Sequence, residues 1–162
     1  MNERPLEYSI RPLTADDEPI LWEMLYQGLQ TTGRTEALPR ESVRQPDLAR
    51  YVEEWGREGD IGFVAFDPNQ QQALGAVWCR TSLVQGNGLE NTEPVPELAL
   101  AVRSDSRRKG VGVALLTHCV RANPQQSAVR LRVSPHSPAV RLYERFGFRV
   151  TGESAGSVTM RR

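Results

Sequence analysis

The sequence predicts one α/β (α+β) domain, residues 1–162, with a mixed, mostly antiparallel sheet and helices on both faces. The length suits a single domain with a full core. Strand-like and helix-like hydrophobic periods follow one another in the order β-α-α-β-β-β-α-β-α-β-β. In the central stretch, Pro96 to Arg121, an apolar strand leads through a cationic glycine loop directly into an apolar-faced helix.

The first half of the chain predicts two helices and three strands. Thr14 is typical of a helix N-cap, because acidic residues follow it and apolar residues then recur at helical spacing. A second helix is predicted from about Gln45 to Trp55, ended by Gly56 and Gly59. The strands are predicted at Tyr8 to Pro12, Ile61 to Phe66 and Leu74 to Cys79, with a polar loop from Thr31 to Pro39.

The second half predicts the remaining elements. A flexible insertion, Val84 to Val95, precedes the central strand, and the helix after the glycine loop reaches about Ala122. Ser137 followed by Pro138 is typical of a helix start, and Gly147 of its end. Further strands are predicted at Ala128 to Val133, Phe148 to Val150 and Ser157 to Met160.

Composition excludes several classes of function. Acidic and basic residues balance at 20 each, so nothing favours wholesale binding to nucleic acid or to a membrane. The start of the chain lacks an apolar signal region, and we expect a cytoplasmic protein. Cys79 and Cys119 lie in apolar contexts without a CxxC pair, which favours buried, reduced thiols. No partner is spaced to make a metal site with His118, and we expect no metal.

The loop Arg107-Arg108-Lys109-Gly110-Val111-Gly112 has the features of an anion site. The first turn of a helix leaves N–H groups unpaired at the positive end of the helix dipole. Glycine removes Cβ atoms, so that a ligand can approach the backbone. A dinucleotide fingerprint is excluded because its third glycine would fall at Leu115, and no P-loop Gly-Lys-Ser/Thr follows.

This loop closely resembles the acetyl-coenzyme A loop of the GNAT superfamily of N-acetyltransferases. Arg107, Gly110 and Gly112 match every fixed position of the family pattern Q/R-x-x-G-x-G/A. The order of elements is also that of the GNAT fold, so the resemblance covers essentially the whole chain. It implies six to seven strands, about four helices and a splay between the fourth and fifth strands.

The resemblance also implies where acetyl-coenzyme A binds. The pantetheine arm is expected against the backbone of Leu100, Ala101 and Val102, and a strand N–H would polarise the thioester carbonyl. The pyrophosphate is expected in the glycine loop, whose members are Arg107, Arg108, Lys109, Gly110, Val111, Gly112 and Val113.

A second family-like motif, Leu142 to Phe148, contains Tyr143. In GNAT enzymes a tyrosine here lies beside the coenzyme sulfur and often acts as general acid. An ordinary phenol is protonated at neutral pH and can donate to the leaving thiolate. Packing in an amphipathic helix is the alternative role for this side chain.

Glu97 begins the central strand, where many GNAT members have a glutamate that acts as general base. A protonated amine cannot attack a thioester, so a group must accept its proton directly or through water. A surface carboxylate without a catalytic role is the alternative. Glu90 and Glu93 in the preceding loop are weaker candidates.

The sequence departs from the family where an asparagine usually contacts the pantetheine arm. The corresponding positions are His136 and Ser137. Serine can cap the helix and offer a hydroxyl but no amide. His136 either contacts the coenzyme or the acceptor amine, or is a solvent-facing loop residue.

The resemblance therefore implies an N-acetyltransferase that moves an acetyl group from acetyl-coenzyme A to a primary amine of a small molecule or protein. Glu97 would be the base and Tyr143 the acid. The rival hypotheses are a non-catalytic acyl-coenzyme A binding or sensor domain of the same fold, and an unrelated α/β domain with a fortuitous glycine loop. Dimerisation is common in the family, and no residue pattern here requires it.

Overall fold

The computed structural model describes most of the chain. The described residues are 8–29, 39–67, 69, 71–81, 96–103, 106, 110–122, 129–133, 135, 137, 139–154 and 157–162. The predicted insertion, Val84 to Val95, lies outside these residues, as does the predicted loop from Thr31 except for Pro39.

Seven strands form one sheet in the order β1-β2-β3-β4-β5-β7-β6. All neighbouring strands are antiparallel except β4 and β5, which are parallel. This architecture confirms the predicted fold class. The strands are β1 (Ser9–Pro12), β2 (Ile61–Asp67), β3 (Gln72–Thr81), β4 (Pro96–Val102), β5 (Arg130–Val133), β6 (Arg149–Ser154) and β7 (Ser157–Arg161).

In the part of the chain that the structure describes, four α-helices accompany the sheet, namely α1 (Glu18–Leu29), α2 (Pro46–Ala49), α3 (Val111–Ala122) and α4 (Ala139–Arg145). Short 3₁₀ turns, Ala15–Asp17 and Arg40–Arg44, precede α1 and α2. Thr14 begins the first turn as predicted, and its N–H donates to the carboxylate of Asp17 at 2.7 Å.

The sheet divides the core into two parts because side chains alternate along β4. Leu98, Leu100 and Val102 pack in the cluster that contains the buried residues of α3. Ala99 and Ala101 pack in the other cluster, with buried residues of α1 and of the segment 43–55. The two faces of β4 therefore serve different helices.

The sheet opens between β4 and β5. Over the described residues, the parallel ladder between these strands is the single pair Glu97 and Arg130. The rest of β4, through Val102, pairs only with β3 in that part of the chain. The splay between the fourth and fifth strands is therefore present, and it begins immediately after Glu97.

The second helix is much shorter than predicted. Regular helix ends at Ala49, and Tyr51 and Val52 donate to carbonyls three residues back rather than four. Arg80 of β3 contributes to this ending, because its guanidinium donates to the carbonyls of Arg50 (3.1 Å) and Glu53 (2.6 Å). These carbonyls would otherwise accept the next helical hydrogen bonds.

Arg80 is held in turn by a buried ion pair with Asp60. Its Nε and Nη2 donate to the two carboxylate oxygens at 3.1 and 2.9 Å, and both side chains are at most 5% exposed. The guanidinium also lies over the ring of Trp55. This cluster anchors residues 50–55 to the sheet.

Cys79 and Cys119 are buried thiols, as predicted, and no disulfide joins them. Their sulfur atoms lie 3.8 Å apart, one on β3 and one on α3.

Within the described ranges, no helix is long and apolar enough to cross a membrane.

Removing the Arg80 guanidinium should destabilise the fold strongly. Arg80→Met leaves the buried carboxylate of Asp60 without its cation, so we expect the free energy of unfolding to fall by about 3–5 kcal/mol. Urea unfolding measures this difference. Arg57→Met is the matched control, since Arg57 pairs with Glu54 on the surface, and it should change stability by less than about 1 kcal/mol. Equal effects of the two substitutions would contradict the anchoring role of Arg80.

Candidate functional site

The start of α3 lies against both sequence motifs. A Cβ atom on Gly112 would lie 3.6 Å from Leu142 of α4, 3.7 Å from Val102 and 4.0 Å from Leu100 of β4. The glycine loop, the central strand and the tyrosine helix therefore meet at one place. The sequence predicted the three elements separately, and the fold brings them together.

The first turn of α3 has the geometry of an anion site. Gly110 has a φ of +81°, which favours glycine, and its carbonyl accepts the N–H of Ala114 at 3.0 Å. The N–H groups of Val111, Gly112 and Val113 precede this first helical bond and donate to no described residue. A phosphate could bind to these donors, at the positive end of a 12-residue helix.

The predicted cations of this loop cannot be placed. Arg107, Arg108 and Lys109 lie outside the described residues, as does His136. The predictions for these four residues stay predictions.

Backbone groups of β4 face the splay. Arg103 N–H donates to the carbonyl of Leu74 on β3 at 2.8 Å, which sets the hydrogen-bonding register of the two strands. Since hydrogen-bonded pairs alternate along an antiparallel ladder, the backbone of Ala99 and Ala101 faces β3. The backbone of Leu100 faces the open side, where a ligand could add its own hydrogen bonds.

Tyr143 is buried in α4, and its hydroxyl forms no hydrogen bond with any described residue. The residue is 5% exposed and packs edge-on against Phe148, with ring centroids 5.7 Å apart. No described residue lies within hydrogen-bond distance of the hydroxyl. Burial raises the pKa of this phenol well above its ordinary value, so the group stays protonated at neutral pH. A buried hydroxyl without a partner is uncommon and suits a residue that donates to a ligand.

Ser137 begins α4 as predicted. Its hydroxyl oxygen accepts the N–H of Ala139 at 3.2 Å. The serine hydroxyl thus caps the first turn of α4.

Glu97 is a buried residue at the closed end of the splay. It is 4% exposed, and its carboxylate oxygens lie 3.2 Å from Nη2 of Arg50 and 3.5 Å from Nε of Arg130. The alternative of a surface carboxylate is therefore wrong. The same Arg50 nitrogen lies 3.1 Å from the hydroxyl of Tyr51.

The segment that carries Arg50 and Tyr51 is positioned by β3. Trp78 Nε1 donates to the carbonyl of Tyr51 at 2.9 Å, next to the contacts from Arg80 described above. Burial raises the pKa of Tyr51, and the charge of Glu97 adds to this effect. The Tyr51 hydroxyl therefore stays neutral beside the carboxylate.

Sequence reasoning missed Arg50 and Arg130. Each resembles an ordinary surface arginine in the sequence. Parallel pairing of the predicted fourth and fifth strands would bring Arg130 near Glu97. The sequence alone does not give the residue register of these two strands, so it could not identify the pair. Among the residues that the structure describes, no cluster of three or more His, Cys, Asp or Glu could hold a metal ion.

Comparisons with known proteins agree with this geometry. A family model described as an acetyltransferase (GNAT) domain matches residues 51–150. No curated protein sequence matches the chain significantly.

Solved structures of similar fold include several N-acetyltransferases. A ribosomal-protein-alanine N-acetyltransferase from Brucella melitensis superposes with a TM-score of 0.64 at 18% identity, over 95% of this chain and 98% of that chain. A PaiA N-acetyltransferase from Thermoplasma acidophilum, solved with coenzyme A, gives 0.67 at 18% identity, over 96% and 98%. A GCN5-related N-acetyltransferase from Ralstonia eutropha gives 0.69 at 18% identity, over 92% and 97%. At these identities the likeness shows the fold.

The burial of Tyr143 should lower the free energy of unfolding at alkaline pH. Above about pH 10 the unfolded chain loses this phenolic proton before the folded chain does, so the free energy of unfolding falls as the pH rises. Tyr143→Phe should reduce this slope by up to about 1.4 kcal/mol per pH unit, while Tyr51 still contributes in the same direction. Urea unfolding at several pH values between about 8 and 11 measures the slopes. Identical slopes would contradict the burial of an ionisable group at this position.

Proposed function

The chain belongs to the GNAT acetyltransferase family, and we propose that it transfers an acetyl group from acetyl-coenzyme A to a primary amine by direct attack. The observation that carries this proposal is the meeting of the first turn of α3, the open edge of β4 and α4 around Gly112. Phosphate donors, strand backbone and a buried phenol are the three groups that binding and acyl transfer from a coenzyme A thioester require.

The described residues fit acetyl-coenzyme A. The N–H groups of residues 111–113, which donate to no described residue, would bind its pyrophosphate, with Arg107, Arg108 and Lys109 as predicted cations. The open edge of β4 would bind the amide groups of its pantetheine arm. The N–H of Leu100 is then the candidate donor to the thioester carbonyl. When bound, the coenzyme supplies an acetyl group activated as a thioester.

Glu97 would act as the base. Its carboxylate accepts a proton from the acceptor ammonium, directly or through one water, so that the amine lone pair becomes available to attack. The contacts with Arg50 and Arg130 fix the position of both carboxylate oxygens. The base is thereby held at the end of the splay nearest the predicted thioester.

Tyr143 would act as the acid. As the new C–N bond forms and the C–S bond breaks, its O–H donates a proton to the leaving sulfur. The raised pKa of the buried phenol keeps this proton in place until it is needed. The lack of another described partner leaves the hydroxyl available for the sulfur.

The second candidate function is a non-catalytic acyl-coenzyme A binding or sensor domain. The observation that favours it is Ser137, which replaces the usual asparagine and uses its hydroxyl to cap α4. The two functions differ in turnover and share coenzyme binding. If no amine in a broad panel causes release of coenzyme A, the result favours the sensor domain. A cytoplasmic location, a homodimer, and the absence of nucleic-acid and membrane partners stay predictions.

Two substitutions should separate chemistry from coenzyme binding. Tyr143→Phe should lower kcat by roughly 10²–10⁴-fold, the range for loss of a general acid, with little change in acetyl-coenzyme A affinity. Gly112→Glu should abolish affinity through bulk and like charge. For the unaltered protein, acetyl-coenzyme A at ~100 times Kd should add about 2.7 kcal/mol of stability, which raises Tm by roughly 5–10 °C.

Folding of the variants is checked by the Tm without ligand. Gly112→Ala is the conservative companion, because its Cβ would meet its neighbours at ordinary contact distances and the fold should be retained. It should weaken coenzyme binding less than Gly112→Glu does. Unchanged turnover in Tyr143→Phe would return Tyr143 to a packing role, and retained affinity in Gly112→Glu would remove the loop from the coenzyme site.

A further inference from the structure

A row of arginines crosses the sheet beside Glu97. The pairing of the strands aligns one residue from each of five neighbouring strands across the sheet. In order, these are Arg80 of β3, Glu97 of β4, Arg130 of β5, Arg161 of β7 and Arg149 of β6. Directly paired residues share a face of the sheet, so these side chains lie on the same face. Glu97 is the single carboxylate in this row.

Arg132 adds to the same face. It lies two residues beyond Arg130 on β5, with the buried Leu131 between them facing the opposite core. Because Arg130 pairs with Glu97, Arg132 occupies the next position on the same face of β5, beside the Glu97 cluster. Arg132 is exposed, and it forms no ion pair with any described residue.

Among the described residues, the positive charge at this site exceeds the negative charge. Arg80 is neutralised by Asp60, and Arg50 and Arg130 both pair with the single carboxylate of Glu97, whereas Arg132 has no described ion-pair partner. The side chains of Arg50 and Arg130 are 31% and 27% exposed, so solvent or a ligand can reach them. Within the described residues, the Nη groups of Arg130 have no hydrogen-bond partner.

We infer that the acceptor amine carries a carboxylate a few bonds from its nitrogen, as an amino acid does. This inference rests on the proposed function. The ammonium group would lie against Glu97, and the carboxylate would accept hydrogen bonds from Arg130 and Arg132. A planar guanidinium binds a carboxylate through two parallel hydrogen bonds, which sets the orientation of the acceptor.

The same charges disfavour a polyamine. A second ammonium group would lie among unneutralised guanidinium groups, and like charges in a partly buried site repel strongly. A small zwitterion instead presents its ammonium group to Glu97 and its carboxylate to the neighbouring arginines. The partial burial of Arg50 and Arg130 favours a compact ligand over a long acidic segment of a protein.

Matched acceptor pairs test the inference. Acetylation of phenylalanine, tyrosine, tryptophan and histidine is compared with that of phenethylamine, tyramine, tryptamine and histamine, which lack only the carboxylate. We expect kcat/KM to be about ten- to a hundredfold higher for the better-accepted amino acids, the range of one charge-assisted hydrogen-bonded pair. Equal or higher kcat/KM for the decarboxylated amines would overturn the inference and leave the proposed function intact.

Substitution of Arg132 tests whether this residue binds the carboxylate of the acceptor. Arg132→Gln should raise KM for the amino acids about tenfold or more and leave KM for the matched amines within about twofold. Arg121→Gln, at the exposed end of α3, is the control and should change neither. A similar change for both members of each pair would overturn the role of Arg132.

The Tm with acetyl-coenzyme A separates failure of the inference from failure of the proposed function. If Tm rises with acetyl-coenzyme A but no amine of any kind is acetylated, both the proposed function and the inference are wrong. Acetylation of a lysine peptide with acidic flanks, but of no amino acid, would overturn the small zwitterion while retaining the enzyme.

Discussion

The pair of Glu97 and Arg130 is the constraint on which the rest of the site depends. It is the single described pair that joins β4 to β5, and the two side chains are also linked by an ion pair. A buried carboxylate is tolerated only with such partners, because its desolvation costs several kcal/mol. The sheet is therefore closed at this point by charge as well as by backbone, and it opens immediately beyond.

The opening separates two faces with different roles. Alternation along β4 directs Leu98 and Leu100 toward α3 and directs Ala99 and Ala101 toward α1 and the segment 43–55. The proposed donor site lies at the start of α3, and Glu97 lies on the face of α1 with Arg50 and Tyr51. An acetyl group held in the splay between the strands would be reachable from the side of Glu97.

Local features of the sequence were sufficient to predict much of the fold. The alternating strand from Glu97 to Val102, the glycines at 110 and 112 and the cap at Ser137 each act within a few residues, and each is found where it was predicted. The second helix was predicted too long because carbonyl groups in its predicted second half accept hydrogen bonds from Arg80, about 30 residues away in sequence. Arg130 is placed beside Glu97 by the strand register, and Arg50 by the hydrogen bond of Trp78 to its neighbour Tyr51. Neither arrangement can be predicted from a local stretch of sequence. The proposed acceptor side of the site depends on such distant contacts, whereas the motifs of the proposed coenzyme side are each local in sequence.

Amide exchange along β4 tests the central claim most directly, namely that the open edge of β4 receives the coenzyme arm. Residue-resolved hydrogen exchange is measured with and without saturating acetyl-coenzyme A. The N–H of Leu100 should exchange quickly in the free protein and become protected by the ligand. The N–H groups of Ala99 and Ala101, which face β3, should be protected in both states and serve as internal controls. Protection of Leu100 in the free protein, or fast exchange that acetyl-coenzyme A leaves unchanged, would contradict the claim.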